Sequence, residues 1–161
     1  MGKFFPKPSI GDIVQCRFPE RISQPGPKAR PAIVTGVEVY DLEEGGEEIF
    51  VTVAYGTSKD VDKCFPGELK IAASDPDAGL AVDTKFDLGN LVTLPFDEEW
   101  FETAPGTEQG NPKRGSLNLK SIAIKRKLSS AVAELKEKGT RPKPKETATK
   151  PKGRKRRASK G

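Results

Sequence analysis

The chain of 161 residues contains no histidine, and this absence decides which chemistry its side chains could do. Ser-His and Cys-His nucleophiles and the H-E-x-x-H metal motif all need imidazole as a base or a ligand. Any catalysis would therefore use Arg, Lys, Asp, Glu, Ser, Thr or Tyr. The sequence also has no P-loop and no G-x-G-x-x-G segment after a strand, so we expect no nucleotide cofactor.

The two cysteines offer no metal-binding motif. Cys16 and Cys64 are far apart in the sequence, form no C-x-x-C pair and have no histidine to complete a zinc site. We therefore expect neither a metal nor a cofactor. Both cysteines are predicted to be small residues of the hydrophobic core.

Positive charge is concentrated at the C-terminal end of the sequence. Residues 139–161 carry ten Lys or Arg and one acid, a net charge of +9, whereas residues 1–138 carry −4. The segment has no aromatic residue and no aliphatic residue larger than Ala, so no apolar surface can offset the entropy of ordering it. We expect a disordered basic tail, which could be a solubilising extension or a segment that binds nucleic-acid phosphates with release of counterions. Its densest cluster consists of Arg154, Lys155, Arg156 and Arg157.

Residues 1–138 have the length of one domain with a core of its own. Their apolar stretches are only a few residues long, and the N-terminal residues lack the apolar run of a signal peptide. We expect no membrane segment and a cytoplasmic location.

The segments that must position any site show two kinds of hydrophobic pattern, one typical of strands and one typical of a helix. Period-two patterns and turn residues predict strands over 13–18, 31–40 and 49–55, and more weakly over 69–73 and 84–94. The segment 49–55 is nearly continuous in β-branched and aromatic residues and is expected to be central. A hairpin turn is predicted around Gly45 and Gly46.

A helical period replaces the strand period near the end of the domain, which predicts a helix over about 121–138. Ser121 is a suitable N-cap, and Gly139 followed by Pro142 is a stop signal. The apolar residues of the helix, spaced by four, four and three, are Ile124, Leu128, Val132 and Leu135.

Three motifs stand in order on the predicted strands. Gly11-Asp12-Ile13-Val14 opens the first, Lys28-Ala29-Arg30-Pro31-Ala32-Ile33-Val34 opens the second, and Val53-Ala54-Tyr55-Gly56-Thr57-Ser58 ends the third. This ordered set resembles the MazF/PemK (Kid) family of toxin endoribonucleases over about residues 9–60. Shorter phrases resemble its PemK-like branch: Ala78-Gly79-Leu80, Thr84-Lys85-Phe86 and Gly115-Ser116-Leu117.

The resemblance implies a mainly β fold, a small SH3-like barrel, here followed by the predicted C-terminal helix and basic tail. It implies metal-independent cleavage of single-stranded RNA, homodimerisation and inhibition by an antitoxin peptide. Arg30 and Thr57 match the catalytic pair of the family, with Ser58 as the alternative to Thr57 if the register differs by one residue.

These residue types suit the reaction, because cleavage by the ribose 2′-OH requires stabilisation of a charged pentacoordinate phosphate. A guanidinium stays protonated, and its planar fork can bind two phosphate oxygens. Lys28 and Lys59 are candidate phosphate contacts. In an arbitrary protein, by contrast, an Arg before Pro at a strand start and a Thr-Ser pair in a turn are usually structural or surface residues.

No general base is assigned from the sequence. The candidates are Glu20, Asp97 and Asp12, and Asp12 also fits a turn residue that bonds nearby backbone amides. Two other functions stay open: a non-catalytic nucleic-acid-binding protein on the same barrel, with affinity from the tail, and a module whose groove binds a peptide.

Overall fold

Six strands form one antiparallel sheet in the computed structural model, which describes residues 5–19, 25–26, 28–104 and 111–137 and the backbone of 145–146 and 155–156. The helix α1 spans Ile122–Glu137. The order across the sheet is β4-β5-β3-β2-β1-β6. The strands are β1 (Asp12–Cys16), β2 (Arg30–Asp41), β3 (Glu47–Thr57), β4 (Glu68–Ile71), β5 (Thr84–Pro95) and β6 (Lys113–Ser116).

The mainly β fold with a C-terminal helix confirms the prediction from the sequence. All five predicted strands form, with bounds shifted by a few residues, and β3 lies inside the sheet between β5 and β2. The β2–β3 hairpin turns at Gly45 and Gly46, whose φ angles of 92° and 94° suit glycine. The strand β6 was not predicted.

The sheet is not closed into a barrel. Its order begins at β4 and ends at β6, and no pairing between these two strands occurs in the part of the chain that the structure describes. The closed barrel that the resemblance implies is therefore not found, although β1, β2, β3 and β5 follow one another as an antiparallel sheet.

Alternation along the strands supplies a separate hydrophobic cluster to each face of the sheet. In β2, Ala32 and Val34 belong to the first cluster, which also includes side chains of β1, β3 and β5 and, after β5, Phe96 and Trp100. Ile33 belongs to the second, which packs against α1. Both faces of the central strands are thus buried, which fixes their register because a slip by one residue would exchange the two faces.

The helix begins and ends close to the predicted positions. Ser121 Oγ accepts a hydrogen bond from the backbone N–H of Ile124 at 3.4 Å, the N-cap arrangement. One apolar position was predicted wrongly: Val132 is 40% exposed, and Ala131 is buried in its place. The buried stripe of α1 is Ile124, Ala131 and Leu135, with Leu128 half-buried.

The two cysteines differ in environment. Cys16 is buried in the first cluster, and burial raises the pKa of its thiol. Cys64 is exposed in the loop between β3 and β4, so the prediction that it is a core residue is wrong. The residues that precede it, 58–63, form no strand.

Most of the predicted disordered tail lies outside the described residues. Two dipeptides of it have described backbones: β7 (Lys145–Glu146) pairs with β5, and β8 (Lys155–Arg156) pairs with β2. Among the residues that the structure describes, no helix has the length and apolar character needed to cross a membrane.

Candidate functional site

Arg30 is the first residue of β2 and is half-buried. It pairs with Cys16 of β1, and by strand alternation it shares a face with Ala32 and Val34. The burial of Ala32 and Val34 fixes this part of the strand. The backbone of Arg30 is therefore held by the sheet, although the residue lies at the end of its strand. Within the described part of the chain, the Arg30 guanidinium makes no ion pair or hydrogen bond.

Thr57 ends β3 beside the start of β2. Ala32 pairs with Tyr55, so the antiparallel ladder continued by two residues brings Thr57 opposite Arg30. Thr57 Oγ1 accepts a hydrogen bond from the backbone N–H of Lys59 at 3.1 Å. Because the oxygen acts as the acceptor there, the hydroxyl hydrogen remains available for another partner.

A small cleft joins these predicted residues, with a cavity volume of about 110 Å³. We call it the arginine cleft. Its described lining consists of Arg30, Pro31, Gly56, Thr57, Ser58, Leu80, Ala81, Val82, Thr84 and Arg114. All three predicted catalytic residues thus line one cleft, together with a second arginine that the sequence did not indicate.

Arg114 lies on β6 and points its guanidinium toward β1. Its Nη1 donates a hydrogen bond to Gln15 Oε1 at 2.9 Å, and its Nε donates to the carbonyl oxygen of Gly79 at 3.2 Å. Partial burial lowers the pKa of Arg114, since desolvation disfavours the charged form, yet a guanidinium remains protonated at neutral pH.

Two glycines allow the backbone around Arg114 to pack this closely. Gly79 has φ +66°, and a Cβ there would collide with the carbonyl oxygen of Arg114. A Cβ on Gly115 would collide with the backbone of Ala78. The loop before β5 therefore contacts β6 backbone to backbone, which holds Arg114 in the wall of the cleft.

A second and larger cleft shares Arg30 with the first and has a volume of about 410 Å³. We call it the aromatic cleft; Phe18, Pro19, Gly26, Lys28, Arg30, Tyr55 and Asn90 line it. The rings of Phe18 and Tyr55 lie 5.0 Å apart between centroids at 58°, a favourable aromatic pair. Its volume falls in the range of about 300–1,000 Å³ typical of small-molecule sites.

The charged side chains that the structure describes at both clefts are all positive. No Asp or Glu is among the described residues that line either of them, whereas Arg30, Arg114 and Lys28 are. The clefts therefore form a local cationic region on a domain of net charge −4. Lys59 is exposed and lies in the turn after Thr57, but it lines neither cleft.

Two of the three carboxylates considered as a general base, Asp12 and Asp97, make structural contacts. Asp12 accepts a hydrogen bond from the Ser9 N–H at 3.0 Å and forms an ion pair with Lys113 at 3.4 Å. Asp97 follows β5, where its Oδ1 accepts the N–H of Glu99 at 3.0 Å. Neither lines a cleft, and Glu20 lies outside the described residues.

The predicted RNA-binding cluster of the tail, residues 154–157, lies mostly outside the described residues. Arg154 and Arg157 lie beyond the described residues, and only the backbone of Lys155 and Arg156 is described. In the described part of the chain, no group of three or more Cys, Asp or Glu is arranged to hold a metal ion.

Comparison with known proteins adds no assignment to this geometry. No protein-family model matches the chain, and no curated protein matches it.

Proposed function

We propose that this protein is a metal-independent endoribonuclease of MazF/PemK type that cleaves single-stranded RNA. The observation that supports this most directly is the arginine cleft, because Arg30, Thr57 and Arg114 line one small cavity although they come from three strands. Two guanidiniums and a hydroxyl around a cavity that no described carboxylate lines suit an anionic, phosphate-sized group.

In the proposed reaction the ribose 2′-OH gives its proton to water as its oxygen attacks the adjacent phosphorus. The bond from phosphorus to the 5′-oxygen breaks and that oxygen takes up a proton from water, so the products are a 2′,3′-cyclic phosphate and a 5′-hydroxyl. Negative charge develops on the equatorial phosphate oxygens, where Arg30 and Arg114 would donate charge-assisted hydrogen bonds. Thr57 would donate its hydroxyl hydrogen to the same phosphate, since its oxygen already accepts the Lys59 N–H. Ser58 lines the same cleft and keeps its role as the alternative donor.

The aromatic cleft supports single-stranded RNA as the substrate. Unpaired bases stack on aromatic rings, and Phe18 and Tyr55 present two rings within one cleft beside Arg30. Lys28 on the rim would contact a neighbouring phosphate. A base in the aromatic cleft and its phosphate in the arginine cleft would both contact Arg30.

The decisive experiment is incubation of the purified full-length protein with a long single-stranded RNA in EDTA. We expect discrete fragments, and we expect Arg30→Ala to lower the cleavage rate by about 10² to 10³, the usual cost of removing one transition-state donor. Arg126→Ala is the matched control, because Arg126 is exposed on α1 and lines neither cleft. Cleavage by Arg30→Ala at the rate of the control would refute the assignment.

The resemblance supports three further proposals about the biological setting: a homodimer, a cytoplasmic location and inhibition by an antitoxin protein. A small acidic protein encoded in the neighbouring reading frame would be the antitoxin. Co-expression of the two should abolish RNA cleavage.

A non-catalytic nucleic-acid-binding protein is the second candidate, and one observation favours it. No carboxylate among the described residues lines the arginine cleft, so the described part of the chain offers no carboxylate base for the 2′-OH. Under this alternative the RNA stays intact in EDTA, while Arg30→Ala and Arg114→Ala weaken its binding and lower the salt dependence of binding.

A further inference from the structure

The turn end of the β2–β3 hairpin carries a cluster of acidic residues. From residue 31 to residue 58 the sequence contains six carboxylates and no Lys or Arg. All six lie within residues 38–48, at the turn end of the hairpin and far along β2 from Arg30. They are Glu38, Asp41, Glu43, Glu44, Glu47 and Glu48.

The basic tail pairs with the sheet at this hairpin. The strand β8 runs antiparallel to the end of β2, with Arg156 opposite Tyr40 and Lys155 opposite Asp41. These two residues belong to the densest cationic cluster of the chain, residues 154–157. The most basic segment therefore meets the most acidic one through backbone pairing.

The sheet leaves an edge of β2 available for this contact. The partner on the outer side of β2 is β1, which pairs only with residues 30–33, so the edge beyond is not covered by β1. The edge of a strand that no neighbouring strand of the sheet covers favours addition of another strand. The strand β8 occupies this edge at residues 40–41.

The length of the tail is compatible with a contact inside one chain. The strand β7 pairs with Val92 and Thr93 of β5. Since β3 lies between β5 and β2, the order from one contact to the other is β7-β5-β3-β2-β8. The two contacts lie four inter-strand spacings apart, roughly 19 Å, and five residues apart along the strands, roughly 17 Å, because Thr93 lies level with Thr52 and Gly36 whereas Lys155 pairs with Asp41. The straight distance is therefore roughly 25 Å, and the chain from Glu146 to Lys155 can reach about 30 Å.

We propose that residues 38–48, which we call the acidic hairpin, are the docking surface for the basic cluster 154–157 of the same chain. The carboxylates of the hairpin and the phosphates of a nucleic acid then compete for the same Lys and Arg side chains. The docked cluster is withheld from nucleic acid, and a phosphate backbone must displace the hairpin to bind it. The contact is therefore a switch: a nucleic acid or another polyanion releases the cluster from the hairpin, whether or not the protein cleaves RNA.

Amide hydrogen exchange of the full-length protein without RNA tests the docking, with the peptide that covers residues 38–44 as the readout. Replacement of Arg154, Lys155, Arg156 and Arg157 by Gln should make this peptide exchange about tenfold faster, since its edge amides lose their partner strand. The matched control replaces Lys143, Lys150, Lys152 and Lys160 by Gln. It removes the same charge from the tail and should leave the exchange unchanged.

A second measurement locates the contact and identifies the chain that supplies the tail. A zero-length carboxyl–amine cross-linker should join Lys155 to a carboxylate of the acidic hairpin, and 1 M salt should suppress this product by screening. A mixture of isotope-labelled and unlabelled protein separates links within a chain from links between copies. Links within one chain support the proposal, and links found only between copies overturn it.

Competition with nucleic acid is tested by the affinity for a 20-nucleotide oligo(U). The triple substitution Glu43→Gln, Glu44→Gln and Glu47→Gln should tighten binding about fivefold more than the matched triple Glu98→Gln, Glu99→Gln and Glu137→Gln, because only the first releases the cluster. The difference should vanish when residues 154–157 are also Gln. Equal gains from both triples, or unchanged exchange in the cluster variant, would overturn the switch.

Discussion

Arg114 donates a hydrogen bond from Nη1 to Gln15 Oε1 at 2.9 Å, and this contact links the two arginines of the arginine cleft. The same Gln15 side chain donates from Nε2 to the carbonyl oxygen of Ala29 at 3.4 Å, directly before Arg30. One amide on β1 therefore bridges β6 and β2. Gln15 is a positioning residue, since it contacts the residues that hold the guanidiniums and lines neither cleft itself.

Replacement of Gln15 separates this positioning role from a merely structural one. Gln15→Ala should lower the free energy of unfolding by about 1 kcal/mol, because Arg114 loses a partly buried acceptor. Gln15→Glu keeps the acceptor for Arg114 and places a negative charge beside that guanidinium, and the charge-assisted bond to Arg114 offsets the loss of the 3.4 Å contact from Nε2 to the Ala29 carbonyl oxygen. It should retain stability and weaken binding of single-stranded RNA roughly tenfold, which corresponds to about 1.4 kcal/mol. Urea denaturation and RNA titration of both variants provide the readouts, and undiminished RNA binding by Gln15→Glu would contradict the role.

The meeting of Arg30 and Thr57 could be predicted from the sequence. Two strands joined by a hairpin turn must run antiparallel, so the start of the first lies beside the end of the second. The period-two patterns of β2 and β3 and the Gly45-Gly46 turn give this pairing to within one residue, because the register at the turn, with Asp41 opposite Glu47, would place Arg30 opposite Ser58. A register shift between Val34 and Gly36, which the sequence did not indicate, pairs Ala32 with Tyr55 and so brings Thr57 opposite Arg30.

The contribution of Arg114 could not be predicted, because β6 carries no local signal. Its sequence Lys-Arg-Gly-Ser has no apolar alternation, and it becomes a strand only through pairing with β1, about a hundred residues earlier in the chain. In the helix, too, one residue could not be predicted from the sequence. The spacing of Val132 fits an apolar stripe, but the sheet beneath α1 accommodates the smaller Ala131 instead.

Gly56 is the residue that lets β3 approach β2 at the arginine cleft. A Cβ at this position would collide with the carbonyl oxygen of Pro31 and would lie 2.7 Å from Cε1 of Phe86. Gly56→Ala should therefore lower the free energy of unfolding by about 1–3 kcal/mol, as overpacking does in a filled core. The midpoint of guanidinium denaturation measures the loss.

Gly36→Ala is the control for Gly56, because both glycines lie in paired strands of the same hairpin. A Cβ on Gly36 would meet Thr52 Cβ at 3.6 Å, an ordinary van der Waals contact. Its stability should stay within about 0.5 kcal/mol of the parent protein. If the two substitutions cost the same, the loss reflects strand glycines in general and not the close approach of Gly56 to Pro31.

Asp97 is a carboxylate whose charge works against the fold. Burial raises its pKa above the ordinary value of 3.8, although hydrogen bonds from the backbone of Glu99 and Trp100 act in the opposite direction. The folded protein thus holds this proton more tightly than the unfolded chain does. The contribution of Asp97 to the free energy of unfolding therefore falls as the pH rises from 3.8 through the raised pKa, and it stays constant above that.

Asp97→Asn should remove this pH dependence and keep the acceptor for the Glu99 N–H, which lies 3.0 Å from Oδ1. We expect the variant to equal or exceed the parent protein in stability at pH 7, and the difference between the two to shrink below pH 3.8. Asp97→Ala also removes the charge but loses the acceptor, so it should be less stable than Asp97→Asn by about 1 kcal/mol. Denaturant titrations of the three proteins between pH 3 and pH 7 measure both effects. Equal losses in the Asn and Ala variants at pH 7 would mean that the charge of Asp97 stabilises the turn, contrary to the direction that its burial implies.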